Sequence, residues 1–209
     1  MLSGRGSNFK AILDNIKNGF LKAQIVCVVS DKQCTGLEIA KQNNIQTIFL
    51  DPKGLARKEY AKKLIDSIMP YEPDLIVLAG FMRILDDSFV DTFEGKILNI
   101  HPSLLPLFKG LHPQKQALEA GVKISGATVH FVTNELDSGP IIIQGAVSVH
   151  ENDTPESLAD RILKVEHKIY SIAIKFIIES KVTYIKTPQG SKAQFKNIKQ
   201  SEDFIINPY

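Results

Sequence analysis

Residues 74–80, DLIVLAG, form the most hydrophobic short run in the chain. A continuous apolar run of this length is typical of a strand that is buried on both faces of a sheet. Similar runs occur at 24–30 (QIVCVVS), 46–50 (QTIFL) and 96–101 (KILNIH), and helical patterns separate them. This alternation predicts an α/β fold with a Rossmann-like, mostly parallel and twisted sheet and helices on both faces.

The helical patterns around these strands have recognisable ends. Apolar residues at helical spacing predict helices from Ser7 to Gly19 and at 37–42, 56–68, 87–93 and 114–120. Ser7 is the expected cap of the first helix, and Gly19 is its expected stop. Thr154 followed by Pro155 is expected to open a long helix that runs to about residue 180.

The pattern changes in the second half of the chain. Residues 126–133 (GATVHFVT) and 140–149 (PIIIQGAVSV) predict two strands joined by a short loop, which form an antiparallel addition to the sheet. A short strand, VTYI, follows, and we expect residues 186–209 to be a polar tail. Because no linker interrupts the pattern, we expect residues 1–185 to form a single domain, with halves at about 1–95 and 96–185.

The loop GRGSN at residues 4–8 resembles a turn that binds phosphate at the amino end of a helix. Such a loop normally follows a buried strand, yet only Met1, Leu2 and Ser3 precede it. We therefore expect the first strand of the sheet to be truncated in this chain.

Composition narrows the class of protein. The chain has 209 residues, 44% of them hydrophobic and 23% charged, and a formal net charge of +2. These are ordinary globular values, and the small net charge argues against a nucleic-acid partner. Its two cysteines, Cys27 and Cys34, have no metal-ligand spacing, and no apolar run reaches the length of a membrane span. We expect a soluble protein of the reducing cytoplasm with no membrane partner.

Polar residues at the end of a strand mark the candidate chemistry. Asn99 and His101 lie two apart at the end of KILNIH, so their side chains share a face. Ligands of open parallel sheets bind at the carboxyl ends of the strands, where an amide and an imidazole can hold a developing oxyanion. Asp137, in the loop ELDSGP, could pair with His101 and fix its orientation. His130 is expected to be a packed residue rather than a catalyst.

Several longer motifs extend this interpretation. The segments NIHPSLLPLFKGLHP (99–113) and VHFVTNELDSGPIIIQ (129–144) resemble the 10-formyltetrahydrofolate-dependent formyltransferases. AGFMRIL (79–85), EHKIY (166–170) and the opening GRGSN are similar to the branch of that family that acts on glycinamide ribonucleotide in purine biosynthesis. The resemblance covers residues 3 to about 185.

The resemblance implies roles for particular residues. It implies that the catalytic residues are Asn99, His101 and Asp137, that the ribonucleotide is bound by Gly6, Ser7, Asn8 and Glu166, and that the folate is bound by Arg57, Met82, Arg83, Ile84, Leu85 and Asn99. It further implies 10-formyltetrahydrofolate as co-substrate, no metal, small-molecule partners only, and a monomer or homodimer. The chain departs from many relatives in having Asp137-Ser138-Gly139 where they have Asp-Gly-Gly, and in having Gln114 where some have a second histidine.

The resemblance also implies a reaction. The amine of the ribonucleotide attacks the formyl carbon directly, so no nucleophile from the enzyme is needed. Asn99 and a protonated His101 would stabilise the oxyanion of the tetrahedral intermediate, and Asp137 would hold the charged imidazole.

Three other interpretations remain open at this point. Gly4-x-Gly6 before a helix, with Asp31 after the next strand, could indicate an NAD-dependent oxidoreductase, although Phe9 stands where the third glycine belongs. A formyltransferase acting on methionyl-tRNA would need about a hundred further residues. A folate-binding or ribonucleotide-binding protein without activity would share the motifs, although Asn99, His101 and Asp137 are all intact.

Overall fold

The structure is a computed structural model that describes residues 1–196. Within them the helices are α1 (Ser7–Lys17), α2 (Thr35–Gln42), α3 (Arg57–Ile68), α4 (Asp87–Thr92), α5 (Pro113–Glu119) and α6 (Pro155–Ile178), with a short 3₁₀ helix at Met69–Tyr71. The strands are β1 (Val28–Ser30), β2 (Thr47–Phe49), β3 (Ile76–Leu78), β4 (Ile97–His101), β5 (Ile124–Phe131), β6 (Ile141–Ser148), β7 (Val182–Thr187) and β8 (Gly190–Phe195). Two compact units are present: Met1–Asn99 with Val132–Asn134, and Ile100–Phe131 with the described residues from Glu135 onward.

Parallel strand pairs form the frame of the first unit. β1 pairs with β2, and β3 pairs with β4, both in parallel. Side chains of α3, α4 and β4, among them Leu64, Phe89 and Ile97, are buried together in the core. The predicted α/β class with mostly parallel pairing is therefore confirmed.

Residues 1–3 connect β1 with the segment that follows β3. The amide of Leu2 donates to the Val29 carbonyl at 3.0 Å, and the amide of Ala79 donates to the Met1 carbonyl at 2.8 Å. The amide of Ser3 donates to the Gly80 carbonyl at 3.0 Å. The loop that begins at Gly4 thus starts from backbone that is hydrogen-bonded on both sides.

Two local predictions for the first unit need correction. The N-cap of α1 is Gly6, with φ 75°, and Ser7 is the first helical residue rather than the cap. Glycine lacks the Cβ that makes this left-handed conformation costly, so it replaces the hydroxyl cap that propensity favours. The strand predicted at 24–30 begins only at Val28, where its pairing with β2 begins. Gly19, with φ 81°, ends α1 as predicted.

The second unit is built on an antiparallel pair. β5 and β6 pair in antiparallel register, with Thr128 opposite Gln144, as the sequence predicts. Thr154 caps α6 by accepting from the amide of Ser157, which also confirms the predicted start of this helix.

A second hairpin occupies part of the predicted polar tail. β7 and β8 pair in antiparallel register from Val182↔Phe195 to Thr187↔Gly190. The Tyr184 ring packs edge-on against Phe131 with centroids 5.4 Å apart. Residues 186–195 are therefore part of a hairpin rather than a tail, and residues 197–209 lie outside the described part of the chain. Among residues 1–196, no helix combines the length and the apolar character needed to cross a bilayer.

A half-buried ion pair joins the loop after β6 to α6. Arg161 donates from Nη1 to Asp153 Oδ2 at 2.7 Å and from Nη2 to Oδ1 at 2.8 Å, and the Asp153 side chain is only 3% exposed. The His150 amide donates to the same carboxylate at 2.7 Å. These donors, Arg161 above all, hold the pKa of Asp153 well below its ordinary value.

We expect Asp153→Asn to lower the free energy of unfolding by about 1 to 2 kcal/mol, because neutral hydrogen bonds replace charge-assisted ones to Arg161, whose side chain is still 27% exposed. The folded pKa of Asp153 lies below its unfolded value, so the carboxylate stabilises the fold above about pH 4 and this stabilisation is lost as the pH falls further. Urea unfolding between pH 3 and pH 7 checks both points. Asp160→Asn, at an exposed position on α6 next to Arg161, is the control. Equal stability of both variants at pH 7 would contradict the prediction.

Candidate functional site

His101 and Asp137 form a buried pair in the second unit. His101 is the last residue of β4, and Asp137 lies in the loop between β5 and β6 with φ 47°. His101 Nδ1 lies 3.4 Å from Asp137 Oδ2, with the two side chains only 7% and 9% exposed. The structure thus brings together two of the three residues that the resemblance implies to be catalytic.

The other ring nitrogen of His101 faces a backbone carbonyl. His101 Nε2 lies 2.9 Å from the carbonyl oxygen of Phe108. A carboxylate and a carbonyl can only accept, so an imidazole that carries a proton on both nitrogens satisfies both partners. The Gly110 amide donates to Asp137 Oδ2 at 2.9 Å, so the segment after β4 contacts both members of the pair. The sequence did not predict these contacts, because every residue carries the same backbone groups.

His130 lies beside the same carboxylate. It is 2% exposed, with Nδ1 2.8 Å from the Phe131 carbonyl and Nε2 3.9 Å from Asp137 Oδ1. Burial lowers the pKa of His130, so its imidazole stays neutral near pH 7. A neutral, almost fully buried ring agrees with the expectation that His130 is a packed residue.

Asn99 occupies β4 two residues before His101. It is paired in register with Leu78 at the carboxyl end of β3, where the strand rule expects a ligand. Ile100, between the two polar residues, is only 8% exposed. Asn99 and His101 thus lie two residues apart on one extended strand, the spacing that places two side chains on the same face.

The predicted phosphate turn, Gly6, Ser7 and Asn8, lies at the amino end of α1 in the first unit. The first backbone N–H groups of a helix have no partner within it, so this end can receive an anion. The turn is packed tightly: a Cβ on Gly6 would lie 2.8 Å from the Cα of Gly36. The Gly36 amide donates to the Gly4 carbonyl at 3.0 Å, so α2 supports the turn directly.

Four of the six residues predicted to bind folate share a cavity in the first unit, whereas Met82 and Asn99 do not line it. A cavity is lined by Arg57, Tyr60, Ala61, Leu64, Phe81, Arg83, Ile84, Leu85 and Asp86. Arg57 donates to the Leu85 carbonyl, and the Arg83 guanidinium lies 5.2 Å from the centroid of the Tyr60 ring. Met82 and Ile84 are 70% and 65% exposed. Two guanidinium groups beside exposed apolar side chains suit a ligand that has an aromatic body and carboxylates.

Two further positions from the sequence analysis are Glu166 and Ser138. Glu166 is buried on α6 at 7% exposure. Ser138 donates to the Leu136 carbonyl at 2.9 Å and accepts from the Lys109 ammonium, while the positive φ of this loop falls on Asp137. The serine is therefore accommodated at this departure from the relatives. Among residues 1–196, no three His, Cys, Asp or Glu side chains are grouped to hold a metal ion.

Comparisons with known proteins identify the family of the chain. A family model described as formyl transferase matches residues 1–174. Phosphoribosylglycinamide formyltransferase of Escherichia coli (strain K12) is 44% identical over 184 residues, which are 87% of this chain and 87% of the relative.

Two crystal structures have the same fold. Phosphoribosylglycinamide formyltransferase of Anaplasma phagocytophilum has a TM-score of 0.88 and 41% identity, with 100% of this chain and 96% of that one covered. Glycinamide ribonucleotide transformylase 1 of Symbiobacterium toebii has a TM-score of 0.88 and 41% identity, with 94% and 92% covered. The chain therefore belongs to the formyl transferase family.

Proposed function

We propose that the protein transfers the formyl group of 10-formyltetrahydrofolate to the amine of glycinamide ribonucleotide, as a step of purine biosynthesis. The observation that carries the proposal is the buried pairing of His101 with Asp137 in a chain of this family. We further propose that residues 1–185 act as one formyltransferase domain, in the cytoplasm, as a monomer or homodimer. Its partners are its small-molecule substrates.

The reaction begins with attack of the amine lone pair on the formyl carbon. The C=O π electrons move to the formyl oxygen, which becomes an oxyanion, while a new C–N bond forms. The Asn99 amide and the Nε2–H of His101 donate to this oxygen, so the formyl oxygen takes the place of the Phe108 carbonyl as acceptor at Nε2. Asp137 keeps the imidazole oriented and charged through Nδ1.

Collapse of the intermediate completes the transfer. The attacking nitrogen loses a proton, N10 of the folate gains one, and the bond from N10 to the formyl carbon breaks. The products are tetrahydrofolate and formylglycinamide ribonucleotide. Asp137 is the group that assists this proton movement, because its carboxylate is the base next to His101.

The other predicted residues bind the two substrates. The N–H groups of Gly6, Ser7 and Asn8 hold the 5′-phosphate, and Glu166 contacts the ribonucleotide. On the folate side, Arg57 and Arg83 supply donors for carboxylates, while Met82, Ile84 and Leu85 contact the pterin. Asn99 contacts the folate as well as the oxyanion. Holding both substrates in this way lowers the entropic cost of bringing the amine to the formyl carbon.

A direct assay tests the proposal. Purified full-length protein with 10-formyltetrahydrofolate and glycinamide ribonucleotide is expected to release tetrahydrofolate, followed by absorbance. Omitting the ribonucleotide is the control, and we expect no release there, because the amine is the nucleophile. Absence of turnover in a protein whose circular dichroism shows it to be folded would overturn the proposal. Release without the ribonucleotide would indicate hydrolysis instead of transfer.

A further inference from the structure

We propose that Gln144 is a positioning residue for His101. From β6 it fixes the turn that follows β4, and with it the Phe108 carbonyl that faces His101 Nε2. The kinetic consequence rests on the proposed function, whereas the positional consequence does not.

The side-chain amide of Gln144 donates one hydrogen to this turn and the other to Thr128 on β5. Its Nε2 donates to the Leu105 carbonyl at 2.9 Å and to Thr128 Oγ1 at 2.9 Å. Thr128 lies directly opposite Gln144 in the register of β5 and β6. An amide nitrogen has two hydrogens, so this geometry uses the full donor capacity of the side chain.

Thr128 forms two further hydrogen bonds with the turn. Its hydroxyl donates to the Ser103 carbonyl at 2.7 Å and accepts from the Leu105 amide at 3.0 Å. With Gln144 as a second donor, the one hydrogen and both lone pairs of this oxygen are used. Thr128 is fully buried, so water does not replace a lost partner without rearrangement. Residues 103 and 105 are therefore held at three points.

The turn after β4 also determines where the Phe108 carbonyl lies relative to the His101 ring. Ser103 donates through its amide to the His101 carbonyl at 2.9 Å and through its hydroxyl to the Leu107 carbonyl at 2.6 Å. Phe108, next in the chain, has φ 55°, a left-handed conformation that is unfavourable for a non-glycine residue and that neighbouring contacts must maintain. Loss of the Gln144 contacts therefore releases the Phe108 carbonyl from Nε2.

Gln144→Met tests the inference, since it removes both donors at nearly constant length. In ¹⁵N–¹H NMR of the full-length protein, we expect the Nε2–H signal of His101 to shift and to exchange faster with water. We expect kcat to fall about tenfold, because the Phe108 carbonyl holds the Nε2–H of His101 in the orientation in which the formyl oxygen replaces it, and the KM of the ribonucleotide should stay unchanged within twofold. Gln194→Met, on the exposed β8 strand, is the matched control and should leave the signal and kcat as in the wild type.

Thr128 supplies a second test on the same contacts. Thr128→Val should reproduce the change in the His101 signal, and Thr128→Ser should restore the wild-type signal, because the hydroxyl is kept. These variants replace Gln144→Met if that protein does not fold. An unchanged Nε2–H signal in the Met and Val variants would overturn the inference. A changed signal in a protein without transferase activity would leave the inference intact and overturn only the proposed function.

Discussion

His101→Ala is expected to lower kcat by about 10²- to 10³-fold, the usual effect of removing one donor to an oxyanion. The KM values of both substrates should stay within a few fold, because the donor contacts the formyl oxygen more strongly in the transition state than in the bound substrate. Steady-state kinetics on the purified variant measure both quantities. A rise in KM as large as the fall in kcat would indicate that His101 contributes to substrate binding instead.

The same contact can be tested from the carboxylate side. Asp137→Ala removes the acceptor 3.4 Å from His101 Nδ1 and the acceptor of the Gly110 amide. We expect a loss in kcat of similar size, and again a much smaller change in the KM values of the two substrates. His150→Gln is the control, since this exposed histidine before α6 contacts Arg161 rather than His101 or Asp137. Near-normal turnover in either the His101 or the Asp137 variant would contradict the roles proposed for them.

Hydrophobic patterning was sufficient to predict the frame of the fold. Four short apolar runs separated by helical patterns predicted parallel strands, and β3 and β4 pair as expected. The change in pattern after residue 120 predicted the antiparallel pair β5 and β6. Patterning succeeds here because burial on one or both faces of a sheet leaves a direct trace in the sequence.

Backbone geometry limited the prediction at two places. Side-chain propensity favoured Ser7 as the cap of α1, yet Gly6 occupies that position because the chain turns there through positive φ. The contact of the Phe108 carbonyl with His101 depends on a turn whose path is set by distant side chains. Residue type alone does not predict either feature, because both result from tertiary contacts.

Polar residues inside strands were difficult to interpret for a related reason. Gln144 follows three isoleucines in a strand, and its sequence context alone indicates only a side chain on one face. Its role becomes visible when Thr128 is found opposite it and Leu105 within hydrogen-bond distance. Pairing register between strands, rather than the pattern along one strand, determines which polar side chains meet.

Gly6→Ala is expected to raise the KM of glycinamide ribonucleotide by about 10- to 100-fold, equivalent to the loss of one or two charge-assisted hydrogen bonds to the phosphate. The new Cβ would lie 2.8 Å from the Cα of Gly36, which is backbone and cannot rotate away. The turn at Ser7 and Asn8 must therefore shift, and its N–H groups lose their alignment with the phosphate. Since the turn does not contact the formyl group, we expect kcat to change much less than KM.

Gly19→Ala separates this close contact from backbone strain. Gly19 has φ 81°, similar to the 75° of Gly6, but no atom lies within 4 Å of a Cβ built on it. Both variants should lose about 1 to 2 kcal/mol of stability from the left-handed conformation, and only Gly6→Ala should lose affinity for the ribonucleotide. Urea unfolding and steady-state kinetics on the two proteins measure these quantities side by side. An equal rise in KM in both variants would show that backbone strain near α1 is enough to weaken binding. An unchanged KM in Gly6→Ala would show that this turn does not bind the phosphate.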